Sequence, residues 1–99
     1  MNKKENYERM AKAHMDLMKS RLHTMKARMR LMKEKARIGV QNDLDVAQEK
    51  FDQLQAKVES YREAGEGALE GIHKSFEEGF HVLQEKVESL YEQIMEDNS

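Results

Sequence analysis

The sequence predicts an all-α protein: a long helical hairpin of coiled-coil type that associates into a larger helical bundle. Three observations predict it. The chain has 99 residues and no proline, and it is rich in Glu, Lys, Gln, Met, Leu and Ala, the residues that enter helices most readily. Its apolar residues recur at a helical period over most of its length. Glycine is concentrated at one place, Ala64-Gly65-Glu66-Gly67, where a helix should stop and turn.

The first predicted helix spans about residues 4–63. From Leu22 the apolar positions are Met25, Met29, Met32, Ala36, Val40, Leu44, Ala47, Phe51, Leu54, Val58 and Tyr61, which is 11 steps over 39 residues. A mean step near 3.55 lies between a coiled-coil seam and a straight helix, and the run of four-residue steps around Ala36 acts as a stutter. Tyr7, Met10, His14 and Met18 extend the stripe towards the N-terminus. Gly39 lies in phase with it, and a single mid-helix glycine costs only about 1 kcal/mol, so the helix is read as continuous there. A turn at Gly39, giving a three-helix bundle, is the alternative. The return helix covers about residues 68–96 and carries a second stripe, Leu69, Ile72, Phe76, Phe80, Leu83, Val87, Leu90 and Ile94.

At 1.5 Å per residue the two helices would be roughly 90 Å and 43 Å long. The return helix would then leave the Met/Leu stripe of about the first 35 residues bare. An amphipathic helix with that stripe should find cover in another chain, so a homo-oligomer, with a dimer favoured, is expected.

The formal net charge of -2 is a sum of unlike parts within one domain spanning residues 1–99. Residues 1–38 hold 12 Lys/Arg against 4 acids, or +8, and residues 39–99 hold 5 against 15, or -10. With Leu22 at a heptad position a and Met25 at d, Lys19, Lys26 and Lys33 fall at e and Arg21, Arg28 and Lys35 at g. Both flanks of the seam formed by Met18, Leu22, Met25, Met29 and Met32 are therefore basic. Pairing such a helix with its own copy sets like charge on like in either orientation. These eleven residues form the candidate partner surface, and the partner expected is acidic. The chain's own acids, Glu49, Asp52, Glu59, Glu63, Glu70, Glu77, Glu85 and Glu92 among them, fall mostly on outer positions.

The composition also excludes functions. With 0 Cys and 0 Trp, there is no disulfide scaffold, thiolate metal site or cysteine nucleophile. No apolar run approaches the roughly 18 residues of a membrane span, and Met1-Asn2-Lys3-Lys4-Glu5-Asn6 leads into charged sequence without a secretory h-region. A cytoplasmic protein is expected. Ser20, Ser60, Ser75, Ser89 and Thr24 have no His and acid at a motif spacing. The glycines form no phosphate loop or dinucleotide fingerprint. No enzyme activity and no cofactor are predicted.

Two groups have the residue types of metal ligands. Met10, His14 and Met18 stand four residues apart on one helical face, and thioether with imidazole suits Cu(I). Glu70 with His73 and Glu78 with His81 are two Glu-x-x-His pairs, the motif that di-iron bundles draw from separate helices. Here both lie on one helix and the facing stripe offers no core carboxylate. Packing accounts for the first group and surface charge for the second.

The segment Glu63-Ala64-Gly65-Glu66-Gly67-Ala68-Leu69-Glu70-Gly71-Ile72, followed by Lys74-Ser75-Phe76-Glu77-Glu78-Gly79-Phe80 and preceded by Leu54-Gln55-Ala56-Lys57, resembles a group of small bacterial coiled-coil domain-containing proteins of uncharacterised function. The likeness covers about residues 36–92 and leaves out the Met-rich N-terminal third. It implies a helical protein and brings no activity or site residues with it.

The expected function is that of a non-enzymatic, oligomeric coiled-coil scaffold or protein-interaction module. Two alternatives come from other classes. The basic amphipathic helix could bind an anionic membrane surface or nucleic acid, although residues 8–50 offer no aromatic stacking platform. The Met/His face could bind Cu(I).

Overall fold

The computed structural model describes residues 3–97. Three helices fill it almost completely: α1 Lys3–Met29, α2 Glu34–Glu63 and α3 Glu66–Asp97. They form an up-down-up bundle of 50 × 20 × 16 Å, its long dimension close to the roughly 48 Å that 32 residues of α-helix span. The N-terminal end of α1 meets the end of α2 and the start of α3, where Lys4 Nζ donates to the carbonyls of Arg62 (2.6 Å) and Ala64 (3.1 Å). The other end of α1 meets the end of α3, where Arg28 Nη1 contacts Met95 Sδ at 3.3 Å. Thus α1 and α3 run parallel, and α2 runs antiparallel to both.

The all-α class predicted from the sequence is what the structure shows. The single helix over residues 4–63 is not: the chain turns at residues 30–33 and neither runs straight on nor turns at Gly39, which lies inside α2. At this turn Leu31 N–H donates to the Arg28 carbonyl and Met32 N–H to the Met29 carbonyl, both at 3.0 Å. These are the tight i→i+3 bonds that close a helix end. Lys33 is extended (φ -62°, ψ 145°), and its backbone N–H points at Asp97 Oδ2, 3.4 Å away.

No Gly, Pro or N-capping side chain marks this turn, so glycine punctuation misplaces it. Charge does mark it. A continuous helix would stack Lys26 on Arg30, like charges at the repulsive i,i+4 spacing. The break instead leaves Lys26 and Arg28 in the last turn of α1 and Glu34 in the first turn of α2, each favourable to its helix dipole. The second turn falls at Ala64-Gly65, two residues shorter than the predicted one, with Glu66 and Gly67 already in α3.

Turning back buries the methionine stripe inside one chain. Met15, Met18, Leu22 and Met25 of α1 and Met32 of the turn are buried in one cluster with Val40, Leu44, Ala47, Leu54, Val58 and Tyr61 of α2 and Leu69, Phe76, Leu83, Val87, Leu90 and Ile94 of α3. The uncovered stripe that argued for an oligomer is therefore covered from within.

The predicted α2 and α3 stripes match the buried faces, but the start of α1 is out of phase. Ala11 and Met15 are buried there, while Met10 is 47% exposed and His14 lies on the surface. Three successive four-residue steps from Leu22 back to Met10 rotate about 120° around the helix. The observed positions 11, 15, 18, 22 and 25 alternate steps of three and four and stay on one face.

Candidate functional site

The heptad that points Ala11, Met15, Met18, Leu22 and Met25 inwards places Met10, Ala13, Leu17, Ser20, Thr24 and Ala27 on the opposite side of α1. All six are exposed, and Leu17 is 51% exposed. Their spacing of 3, 4, 3, 4 and 3 residues is that of a coiled-coil seam. None is charged, in a chain with 36% charged residues. Leu31, 76% exposed in the following turn, extends the line. One flank of this outer seam is Arg9, Asp16 and His23, and the other is His14, Arg21 and Arg28. It is thus a second, mainly basic-flanked seam about 26 Å long. Sequence reasoning misses it because the inner Met stripe dominates the pattern; the small residues at a strict seven-residue repeat (Ala13, Ser20, Ala27) are its signal.

The predicted partner-binding residues divide between inside and outside. Met18, Leu22, Met25 and Met32 are buried and Met29 is partly buried, so these contribute packing within the chain. Lys19, Arg21, Lys26, Lys33 and Lys35 are exposed, and Arg28 is intermediate. Lys26 Nζ reaches across to Gln48 Oε1 at 2.8 Å, and Gln48 in turn donates to Asp52 at 3.1 Å. Among the described residues no carboxylate forms an ion pair with Lys19, Arg21, Lys33 or Lys35. The ion pairs of α1 gather at its N-terminal end, where Glu8 bonds Arg62 (2.7 Å) and Lys12 (3.1 Å) and Lys3 pairs with Glu70. Arg62, and secondarily Lys12, hold the Glu8 carboxyl below its ordinary range, and Lys3 does the same to Glu70. The acids expected on outer positions of α2 and α3, Glu49, Asp52, Glu59, Glu63, Glu70, Glu77, Glu85 and Glu92, lie at the surface.

Helices α1 and α3 pack on each other less than either packs on α2. Between them opens a cleft of about 490 Å³, with Arg21 and Thr24 on the α1 side and Glu88, Tyr91 and Glu92 on the α3 side, above Val87. One lip is basic and the other acidic. Arg21 and Glu88 line the same cleft without an ion pair between them.

The metal candidates do not gather as the spacing suggested. Met18 points into the core, Met10 lies on the surface, and His14 rests on Phe80 with ring centroids 4.7 Å apart. Neither Glu-x-x-His pair closes on itself. His73 pairs with Glu77 at 2.9 Å and His81 with Glu85 at 3.0 Å, each one turn onward, while Glu70 pairs with Lys3 and accepts from Tyr7 Oη at 3.2 Å. Glu78 is exposed. Among the described residues no three His, Asp or Glu side chains converge on a common point.

The surroundings of His73 carry no signature in the sequence. Its ring stacks on Tyr7 (centroids 3.6 Å, planes 6° apart), and its Nδ1 lies 3.0 Å from Tyr61 Oη. The ring thus bridges the Tyr61 phenol at Nδ1 and the Glu77 carboxylate at Nε2, 2.9 Å away. Carboxylate, imidazole and hydroxyl in a row are the parts of an acyl-transfer relay. Here, however, the hydroxyl belongs to a fully buried tyrosine, and burial pushes it up to about 12. Tyr61 holds its proton and serves as a structural donor.

No protein-family model matches the chain, and no curated protein or solved structure matches it either. Among the described residues no helix is long and apolar enough to cross a membrane.

Proposed function

We propose that the protein is a non-enzymatic helical interaction module that takes an acid-flanked amphipathic helix along the outer face of α1. One observation carries this reading. After the inner seam of α1 has been buried, the helix still presents a complete second seam, uncharged at its positions from Met10 to Ala27 and flanked by Arg9, Asp16 and His23 on one side and His14, Arg21 and Arg28 on the other. A face needed only for contact with water would be free to carry the charged residues that occupy the outer positions of α2. An apolar stripe with small residues at a seven-residue repeat supports close helix–helix approach, and its basic flanks select acid on the partner. The unpaired Arg21 on its flank supports the same choice.

The test uses two synthetic amphipathic peptides of about 21 residues, long enough to lie along the seam. Both have a leucine seam; one has glutamate flanks and the other lysine flanks. The full chain should bind the glutamate peptide and not the lysine peptide. Leu17→Asp and Arg21→Glu should each weaken binding about tenfold or more. Failure to bind the glutamate peptide, combined with salt-sensitive binding to phosphatidylserine vesicles or duplex DNA, would overturn the reading in favour of an anionic surface.

A further inference from the structure

We infer that the acidic partner of α1 is a second copy of the chain, which offers the α3 lip of Glu88, Tyr91 and Glu92, and that two copies join through the α1/α3 cleft with their bundles parallel. This rests on the reading above that α1 takes an acid-flanked helix, and adds which helix and in which orientation.

The cleft has opposite charge on its two lips. Arg21 stands on the α1 side, in line with His14 and Arg28, and Glu88 and Glu92 stand on the α3 side. A second copy can approach this face about a two-fold axis in only two principal ways. An axis running along the cleft exchanges the lips, so α1 of each copy meets α3 of the other and base meets acid. An axis running across the cleft keeps each lip opposite its own kind, arginine on arginine and glutamate on glutamate. Charge therefore selects the first arrangement, in which the two bundles point the same way.

The register also fits. Within one chain α1 and α3 run parallel and in step: His14 lies against Phe80, Arg21 and Glu88 line one cleft, and Arg28 touches Met95. A two-fold along the cleft preserves height along the axis, so Arg21 of one copy comes level with Glu88 of the other without sliding. Because Arg21 and Glu88 do not pair within their own chain, both remain available across the interface. Met10, Leu17 and Tyr91, each more than 40% exposed, border the same face and would be covered. This arrangement also avoids the α1-on-α1 pairing that the basic flanks oppose.

The experiment measures self-association by sedimentation equilibrium and light scattering on the full chain. The wild-type chain should dimerise reversibly in the micromolar range. R21E and E88R should each weaken self-association at least about tenfold, because R21E sets a new carboxylate against Glu88 of the other copy and E88R sets a new guanidinium against Arg21. Mixing the two variants should restore a one-to-one heterodimer, since each copy then offers the charge that the other lacks. R21K and E88D should retain the dimer, and circular dichroism should show all four variants equally helical, as expected for exposed positions.

Dyes attached through Lys35→Cys, at one end of a bundle 50 Å long, report orientation. High energy transfer is expected for parallel copies and low transfer for antiparallel ones. A chain that stays monomeric, a dimer indifferent to both charge reversals, a mixture that fails to recover, or low transfer would each overturn the inference. The peptide titration decides the broader reading separately: binding of the glutamate peptide by a monomeric chain would retire the dimer and keep the module.

Discussion

Met18 and Leu17 are neighbours in sequence and opposites in the fold. Met18 is 0% exposed at the centre of the inner seam of α1, and Leu17 is 51% exposed at the centre of the outer one. Both are long, unbranched at Cβ and equally at home in a helix. What separates them is one step of about 100° around the axis. The difference shows that hydrophobicity alone does not identify a core residue in this chain, because α1 is apolar on two sides. The inner side is methionine-rich and fills the space between α2 and α3. The outer side mixes long residues with Ala and Ser and remains open.

The largest expected effect breaks this pair apart. Met18→Ala should lower the stability of the chain by about 2–5 kcal/mol, the cost of removing a fully buried long side chain, whereas Met18→Leu should cost less than about 1.5 kcal/mol. In the dilute, monomeric chain Leu17→Ala should change stability by no more than about 0.5 kcal/mol. Urea unfolding followed by circular dichroism measures all three. A Leu17→Ala effect as large as that of Met18→Ala would show that the outer seam is already covered in solution.

The polar end of the core gives a second contrast. Tyr61→Phe keeps the ring among Tyr7, His73 and Phe76 but removes the donor to His73 Nδ1, and should cost about 1–2 kcal/mol. The same group contributes to the alkaline limit. Burial raises the Tyr61 hydroxyl from 10.0 to about 12, so the folded chain favours the protonated phenol. That contribution is complete below about pH 10, and it is lost as pH rises through about 10 to 12 and the unfolded state ionises first. Stability should therefore fall across that interval, and Tyr61→Phe should flatten the fall.

Smallest is a pair of glycines on α3. A Cβ at Gly79 would lie 2.8 Å from Leu54 Cδ2, whereas a Cβ at Gly71 would meet nothing within 4 Å. Gly71→Ala should stabilise by up to about 1 kcal/mol through helix propensity. Gly79→Ala should lose that gain and cost about 1 kcal/mol more, because Leu54 is buried and must shift. Thermal unfolding of the two variants side by side checks the sign of each.

Much of the fold is legible in the residues. The α2 and α3 stripes, from Val40 to Tyr61 and from Leu69 to Ile94, match the buried faces because their three- and four-residue steps leave one face to choose. The turn at Ala64-Gly65 is legible from its glycines. The turn at residues 30–33 is not, since Arg30, Leu31 and Met32 are good helix formers and the only local cue is the density of like charge around them. The N-terminal phase is ambiguous because Met10 and His14 on one face compete with Ala11 and Met15 on the next. Of the candidate surface, the basic residues Lys19, Arg21, Lys26, Arg28, Lys33 and Lys35 are legible as charge. Of these only Arg21 and Arg28 flank the outer seam, and the seam itself is not legible, because its Ala, Ser and Thr carry little hydrophobic signal.

Residue order alone is enough to make this chain helical, to divide its charge between a basic third and an acidic remainder, and to mark the apolar faces of α2 and α3. Those properties follow from propensity and period, which act over a few residues. Three matters wait for the packed bundle: where α1 ends, which of its two apolar faces goes inside, and the meeting of Tyr7, Tyr61, His73 and Glu77. These depend on three helices competing for one core. The methionine face wins because turning the chain at residues 30–33 buries its full length against α2 and α3, and the outer seam is what that choice leaves exposed.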